Sequence, residues 1–408
     1  MEVDVAIIGA GAAGIAAARR LHDQGHRVLL IEAMDRVGGR AHTVTVEGMT
    51  LDLGCGWLHS AERNPLALLA EAQGAAVDRR EAAWGRQLRN LGFSAREQHR
   101  TWTAYEALER ALHDDPPAND CVGDAIARDD PSRPYLDMVS GALNGVELDL
   151  VSARDLVAYD DHASDANWRL PAGMGTLIAN AATPLPLSLS TRVASIDHST
   201  RYVMIGTDRG PIQAKTAIVT VPTDILARGD ITFMPALGDH LHAAACLPLG
   251  RVDKLFLQIA HAEAVPSESH LVGNPRSALT GSYYLRPLGR PVIECFFGGI
   301  AARAMEEAGD QGRNAFAIEE LGKLLGSDFG RGLKPITGSW WHRELTIGGA
   351  YSHALPRHAD KRAVLARPVS ERLLFAGEAC SPHDFSTAHG AWATGIAAAE
   401  SVDAMLPH

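Results

Sequence analysis

The sequence predicts an α/β fold, a parallel sheet with helices on it, joined to an α+β unit with a mixed sheet and a helical insert. Three observations carry this. Residues 3–8 (VDVAII) are a short apolar run, followed at once by Gly9, Gly11 and Gly14 in an alanine-rich stretch reaching about His22. A second apolar run, 27–31, ends in Glu32, eighteen residues past Gly14. The chain of 408 residues is also longer than one hydrophobic core usually serves. Strand, glycine turn, helix, strand and acid in that order make a Rossmann-like dinucleotide site. Gly9 permits the tight turn, Gly11, with Ala13 beyond it, lets backbone approach a pyrophosphate, and Gly14 lets the helix pack closely on the strand. The helix start turns unpaired N–H groups and a positive dipole end towards phosphates. Glu32, followed by Ala33, stands where a carboxylate accepts hydrogen bonds from an adenosine ribose.

The residues after Glu32 narrow the choice of dinucleotide. In Asp35-Arg36-Val37-Gly38-Gly39-Arg40, two further glycines carry the backbone past a cofactor, and Arg36 and Arg40 bring positive charge to a diphosphate. A nicotinamide enzyme has no need of this second loop. Residues 3–43 resemble the start of the flavin-dependent amine oxidases, the monoamine and polyamine oxidase family. The resemblance implies FAD as the cofactor.

Composition bounds the remaining classes. A hydrophobic fraction of 46% and a charged fraction of 21% are those of a soluble globular protein. A net charge of −11 with no Lys/Arg run argues against nucleic acid or an anionic membrane as partner, and mildly favours cationic substrates. No apolar run approaches the twenty residues of a membrane span. The apolar start follows Glu2 and Asp4 rather than Lys/Arg and belongs to the dinucleotide motif, so it reads as a strand and not a signal peptide. The expectation is a cytoplasmic protein. Five scattered cysteines give no disulfide framework, and His240 and His242 near Cys246 lack carboxylates at helical spacing, so no metal site is expected.

The predicted FAD-binding domain is assembled from residues 1–80, 166–235 and 356–408, and the substrate-binding domain from 81–165 and 236–355. In the first, a turn at 171–175 leads into a helix over 176–182, with strands at 193–196, 202–205 and 217–222. Residues 373–378 read as a buried strand leading to a small-residue helix over 390–402. Residues 81–165 have helical spacing, with Trp84, Trp102 and Tyr105 expected to pack in a core. Residues 236–355 alternate strands (254–259, 282–285, 292–297) with a helix over 314–325.

Further stretches resemble the same family in the family's own order. LDLGCGWLH (51–59) resembles the segment that passes along the flavin ring, which puts Gly54, Cys55, Gly56 and Trp57 at the cofactor and His59 at the substrate channel. LPLGRVDK (247–254) resembles the stretch ending in the lysine that holds a water beside flavin N5. Lys254 stands in an apolar strand, where an unpaired ammonium is expensive and a partner is required. The alternative is an edge-strand lysine that blocks aggregation. Trp341 and Tyr351 resemble another family block, with Tyr351 on one wall of an aromatic cage. Ala350 stands where monoamine oxidases carry a flavin-bonded cysteine, so FAD is expected to be held non-covalently. Thr387 replaces the tyrosine of the opposite wall, which argues against a small arylalkyl monoamine substrate. In FAGEACSPHDFSTAHGAWATG (375–395), Gly377 and Glu378 would meet the ribityl and pyrophosphate, and the helix from Ala388 would face the flavin pyrimidine. Val193 matches the position whose backbone pairs with adenine.

The resemblance implies oxidation of an amine C–N bond: hydride from the α-carbon to flavin, an imine that hydrolyses, and O2 reduced to hydrogen peroxide. A polyamine-type or other primary or secondary amine is the expected substrate, and Glu147 and Asp149 are either its distal ammonium site or a solvated helix end. A flavin-dependent amino acid oxidase or desaturase is the enzymatic alternative, and a non-catalytic flavin-binding partner protein the alternative of another class. Oligomeric state is not legible.

Overall fold

A computed structural model describes residues 2–406, with two large sheets, two two-stranded ribbons and a helical insert. The first sheet runs Thr232–Met234, Val193–Asp197, Val203–Thr207, Ile212–Val219, Glu2–Ile8, Val28–Ile31, Leu187–Ser188. Leu373–Phe375 joins it alongside the second half of Ile212–Val219, parallel to it. Glu2–Ile8 is parallel to both its neighbours. Its side chains divide by parity, as strand geometry requires. Val5 and Ile7 pack under the helices Ala12–Asp23, Met174–Ala181 and Ala388–Met405, while Ala6 and Ile8 meet Leu226, Ala243 and Leu365 on the other face. The first and last helices touch at their backbones: a Cβ on Gly395 would stand 2.1 Å from the Ala13 carbonyl oxygen. The two ends of the chain are therefore packed against each other.

The second sheet runs Ser269–Val272, Ser282–Leu285, Val292–Gly298, Val252–Ile259, Leu333–Gly338. Every pair in it is antiparallel. This corrects the expected strand directions, since mixed pairing occurs in the first sheet, where Val203–Thr207 runs against Ile212–Val219. Short connections between sequential strands give antiparallel pairs, whereas parallel pairs need a crossover. Two strands, Ser269–Val272 and Leu333–Gly338, are additional to those read from the sequence. The helix Ile300–Leu325 backs this sheet and breaks at Gly309 (φ 69, ψ −172).

The insert holds three helices, Ala95–Asp114, Arg133–Asn144 and Ala153–Asp160, around Leu108, Leu112, Leu136, Leu148 and Ala153. Ser94 and Glu97 form a capping box on the first, and Gly145 (φ 72) ends the second. Trp84 and Trp102 do not join this core: they are 39% and 58% exposed and line the cavity, correcting the expectation. Helical spacing shows that residues share a face; whether protein or open space covers that face is decided by the tertiary fold.

Asp155 of the insert holds Arg362 through two hydrogen bonds, 2.6 and 2.8 Å, both residues being buried. Arg362 also donates to Ser352 Oγ (3.0 Å). Removing one member of such a pair leaves a charge buried without compensation. Asp155→Ala is expected to cost about 3–5 kcal/mol, measured as a lower midpoint of urea unfolding in the FAD-loaded protein.

Candidate active site

A cavity of about 1000 Å³ extends from the first glycine turn to the helical insert. At its nucleotide end, Gly9 has φ 104, and a Cβ there would stand 2.7 Å from Thr220 Oγ1. Gly11 is different: a Cβ on it would meet nothing within 4 Å. It caps the Ala12–Asp23 helix without offering a side-chain acceptor, so the first-turn amides are left for something outside the chain. Gly377, at the other end of the sequence, faces the same cavity with equal clearance. These two open positions fit a bulky anionic nucleotide laid against bare backbone. Glu32 is 7% exposed and accepts from the amides of Ala10 (2.7 Å) and Met34 (2.8 Å). Burial pushes its carboxyl up, against the pull of those two bonds.

Ala13, Ala33, Gly38, Gly39, Arg40 and Val193 also line the cavity. Gly38 N–H donates to Ala10 O (2.8 Å), which lays the second glycine loop over the first. Gly14 and Arg36 are not among the lining residues. Gly14 sits where a Cβ would be 1.9 Å from Gly9 O, the close contact of helix on strand. Arg36 braces its own loop, donating to Gly39 O (2.9 Å) and Val37 O (3.3 Å). Arg40 donates to Glu378 Oε1 (2.9 Å) and to Ala350 O. The remaining acceptor positions of Glu378 take Ser352 N (3.1 Å), Ser352 Oγ (2.7 Å) and Ser386 N (2.9 Å). Burial alone would push Glu378 up, but Arg40, Arg362 and these bonds outweigh it and hold the carboxyl below its usual value.

Further along, Gly54, Cys55, Gly56, Trp57, His59, Lys254, Trp341, Tyr351, Thr387 and Ala388 come together on the cavity wall. Val252–Ile259 has a strand on each side, so Lys254 is not an edge lysine. It is 6% exposed, with Nζ 2.7 Å from Glu294 Oε1 and donating to Asp52 O (3.1 Å). Two of its three protons thus have partners. Glu294 also lines the cavity and is a site residue the sequence reading missed. An acid inside the apolar strand VIECFFG was the available signal, the counterpart of the lysine inside VDKLFLQI. Trp341 donates from Nε1 to Leu53 O (3.3 Å) and from its backbone N–H to Asp253 Oδ1 (2.9 Å). Trp57 packs on Trp84 with ring centres 4.2 Å apart, and the Arg169 guanidinium lies 4.8 Å from the Trp57 ring centre.

His59 Nδ1 is 2.6 Å from Asn167 Oδ1, and the Asn167 amide nitrogen donates to Asp165 O. Asn167 therefore offers only its oxygen, so Nδ1 carries the proton and Nε2 is the acceptor. Burial holds the ring below the usual histidine range, and it is neutral. The Tyr351 hydroxyl donates to Ala142 O, which fixes the ring against the insert. Thr387 Oγ1 donates to Asp384 O (2.6 Å) and accepts from Gly390 N (3.0 Å), capping the Ala388–Met405 helix. Glu147 and Asp149 lie outside the cavity: Glu147 binds Arg303 (2.6 Å) and Asp149 binds Arg133 (2.6 Å). At the far end, Trp102, Tyr105, Glu109 and Asp160 line the cavity. Burial, then Glu109, pushes the Asp160 carboxyl up to about 7.

A nucleotide cradle shared between the two chain ends, opening onto a buried lysine and an aromatic wall, defines a flavoprotein oxidoreductase. The family model for flavin containing amine oxidoreductases matches residues 12–94 and 76–403, and the chain belongs to that family. It is a FAD-dependent amine oxidoreductase. Polyamine oxidase 3 of Oryza sativa subsp. japonica is 28% identical over 97% of this chain and 88% of its own. Polyamine oxidase 2 of Arabidopsis thaliana is 27% identical over 97% and 87%. Among solved structures, wild-type putrescine oxidase bound to putrescine superposes with a TM-score of 0.82 at 20% identity, covering 99% of each chain. Cyclohexylamine oxidase from Brevibacterium oxydans does so at 0.81 and 21%, covering 98% and 99%. No described helix is long and apolar enough to cross a membrane.

The open space at Gly11 makes a separable prediction. Gly11→Val is expected to fold with unchanged circular dichroism yet purify colourless, losing the yellow flavin absorbance. Retention of the wild-type flavin content would show that nothing is laid against this position.

Proposed function

We propose that the protein is an oxidase of di- or polyamine-type substrates, with O2 as the acceptor and hydrogen peroxide and an imine as products. The reading rests on one observation: a single cavity joins the flavin cradle to a far end lined by carboxylates and aromatic rings. Residues 1–80, 166–235 and 356–408 form the FAD-binding part of this assignment, and 81–165 with 236–355 the substrate part. Gly9, Gly11, Ala13, Glu32, Ala33, Gly38, Gly39, Arg40 and Val193 would hold the nucleotide, with Gly14 and Arg36 shaping its loops. Gly54, Cys55, Gly56, Trp57, Trp341, Gly377, Glu378, Thr387 and Ala388 would flank the flavin, and Ala350 offers no sulfur for a covalent link. When bound, FAD supplies the acceptor for the hydride equivalent of the amine α-carbon and the route onward to O2.

The chain's own residues bind and orient the amine. Tyr351, held by Ala142 O, presents one aromatic face beside the reacting nitrogen, with Thr387 leaving the opposite side open. His59, neutral and with Nε2 as acceptor, takes a hydrogen bond from an amine without adding positive charge to the cavity. Lys254, one proton still unassigned, directs a hydrogen bond into the cavity and keeps cationic charge at one place in its wall. Asp160 and Glu109 receive a distal ammonium, flanked by Trp102 and Tyr105, since rings and carboxylates both attract a cation. Among the described lining residues the arginines are Arg40, engaged by Glu378, and Arg192, beside Val193. Neither is free near Lys254 to face a substrate carboxylate, so an amine is favoured over an amino acid. The five free thiols support a reducing compartment, the cytoplasm.

Two measurements test this. Asp160 is charged above about pH 7 and neutral below it. Raising the pH from about 6 to 8 should therefore lower KM for a diamine more steeply than for a monoamine of equal length. Asp160→Asn should abolish that difference while kcat for the monoamine stays within about twofold. Equal KM profiles for both amines in the wild type would remove Asp160 from substrate binding. Lys254→Met should keep FAD yet turn over at least about tenfold more slowly, seen in stopped-flow flavin absorbance. Wild-type rates of both flavin reduction and reoxidation would take Lys254 out of the reaction.

A further inference from the structure

Behind the cavity wall, three buried atoms that bind metals converge, and none of them has a hydrogen-bond partner outside the group. Asp253 Oδ2, Glu306 Oε1 and His342 Nδ1 make no hydrogen bond, and the three lie within 4.8 Å of one another. His342 Nδ1 and Glu306 Oε1 are 3.0 Å apart. Asp253 is 1% exposed, and its other oxygen is already committed to Trp341 N (2.9 Å) and Ser339 Oγ (3.3 Å). The group comes from three elements: the strand Val252–Ile259, the helix Ile300–Leu325 and the turn Trp341–Arg343. Asp253 and Lys254 are successive strand residues, so their side chains leave opposite faces, Lys254 towards the cavity and Asp253 away from it.

We propose that Asp253, Glu306 and His342 bind one divalent first-row cation of the Zn²⁺ or Mn²⁺ type, which fixes the strand and turn carrying Lys254 and Trp341. Two carboxylate oxygens and one imidazole nitrogen are the donor set such ions take. Ligand atoms about 2.1 Å from an ion stand roughly 3 to 4 Å apart, so the observed spread closes with a shift of less than about 1 Å. The surrounding cations do not satisfy these atoms. Arg251 Nη1 is 3.8 Å from the other oxygen of Glu306, and Arg343 donates to the Glu306 backbone carbonyl. Arg313 donates to Ser339 O, Lys254 O and Asp310, and Arg303 to Glu147. The side chains of His342 and Glu306 keep 20% and 11% exposure, which leaves a way in from solvent. The ion joins no step of amine oxidation; it holds the wall in place.

The FAD-loaded protein, stripped with EDTA and dialysed, is titrated with Zn²⁺ and read by metal content and melting temperature. About one zinc per chain is expected, with a melting temperature a few degrees higher than that of the stripped protein. Asp253→Asn and His342→Gln should each bind zinc at least about tenfold more weakly. His342→Gln, at a partly exposed position, decides the matter if Asp253→Asn does not fold. A wild type that takes up no zinc and melts unchanged would overturn the proposal, as would equal uptake by wild type and His342→Gln.

Discussion

Three stretches far apart in sequence, around residues 40, 352 and 378–386, meet at one buried carboxylate. Glu378 receives Arg40 from the second glycine loop, Ser352 from the segment after Tyr351, and Ser386 from the approach to the last helix. Ser352 in turn receives Arg362, which is clasped by Asp155 of the helical insert. A network of this kind stabilises little when complete and costs heavily when broken, because every member has already lost its water. Its value lies in uniqueness of arrangement. The insert, the two chain ends and the middle of the sequence have one relative position in which all these groups are paired. The cavity they enclose is consequently shaped by the protein before any ligand enters, and a preshaped site loses less free energy to ordering when the ligand binds.

Within that frame the two ends of the cavity use opposite devices. At Gly11 and Gly377 the chain withdraws side chains and leaves bare backbone facing the cavity. Around Lys254 it adds a charge, which requires Glu294 and the Asp52 carbonyl as neighbours. The Lys254–Glu294 pair is neutral as a unit, which lets an ammonium sit in a protein interior without the full cost of an isolated ion. Arg40 obeys the same rule at the other end. Its partner Glu378 cancels most of its charge, and its remaining influence on a diphosphate comes from donors already held in place.

The parts of the fold that were legible from sequence are those where one residue type is dictated by local geometry. The glycine turn, Glu32 and the small-residue helix at the end could be read because backbone approach and close helix packing exclude side chains. Lys254 could be read because a charge in an apolar strand demands a reason. Glu294 posed the same question and went unread, since nothing adjacent in sequence shows that it lies across the strands from Lys254. The role of Arg36, which braces its own loop and does not line the cavity, was indistinct because an arginine near a phosphate loop serves either purpose. Two of the four antiparallel pairs of the second sheet involve strands, Ser269–Val272 and Leu333–Gly338, whose short apolar patterns are weak.

Trp84 and Trp102 carry the most instructive error. Their helix-like spacing and bulk indicate core residues, yet both open onto the cavity, Trp84 against Trp57 and Trp102 at the end where Glu109 and Asp160 gather. Large exposed rings are costly to leave in water, and the cost is offset when a ligand covers them. The carboxylates at the Trp102 end make an apolar ligand with no charge a poor cover, since its binding would desolvate the acids without pairing them. A cation on an alkyl chain satisfies both demands at once, with methylenes against the rings and ammonium against the acids. The same reasoning is compatible with the proposed reading, in which Tyr351 offers one aromatic face beside the reacting nitrogen and Thr387 leaves the other side open. When binding free energy is drawn from a remote charged end, the reacting end can be held loosely around its nitrogen and still be placed accurately.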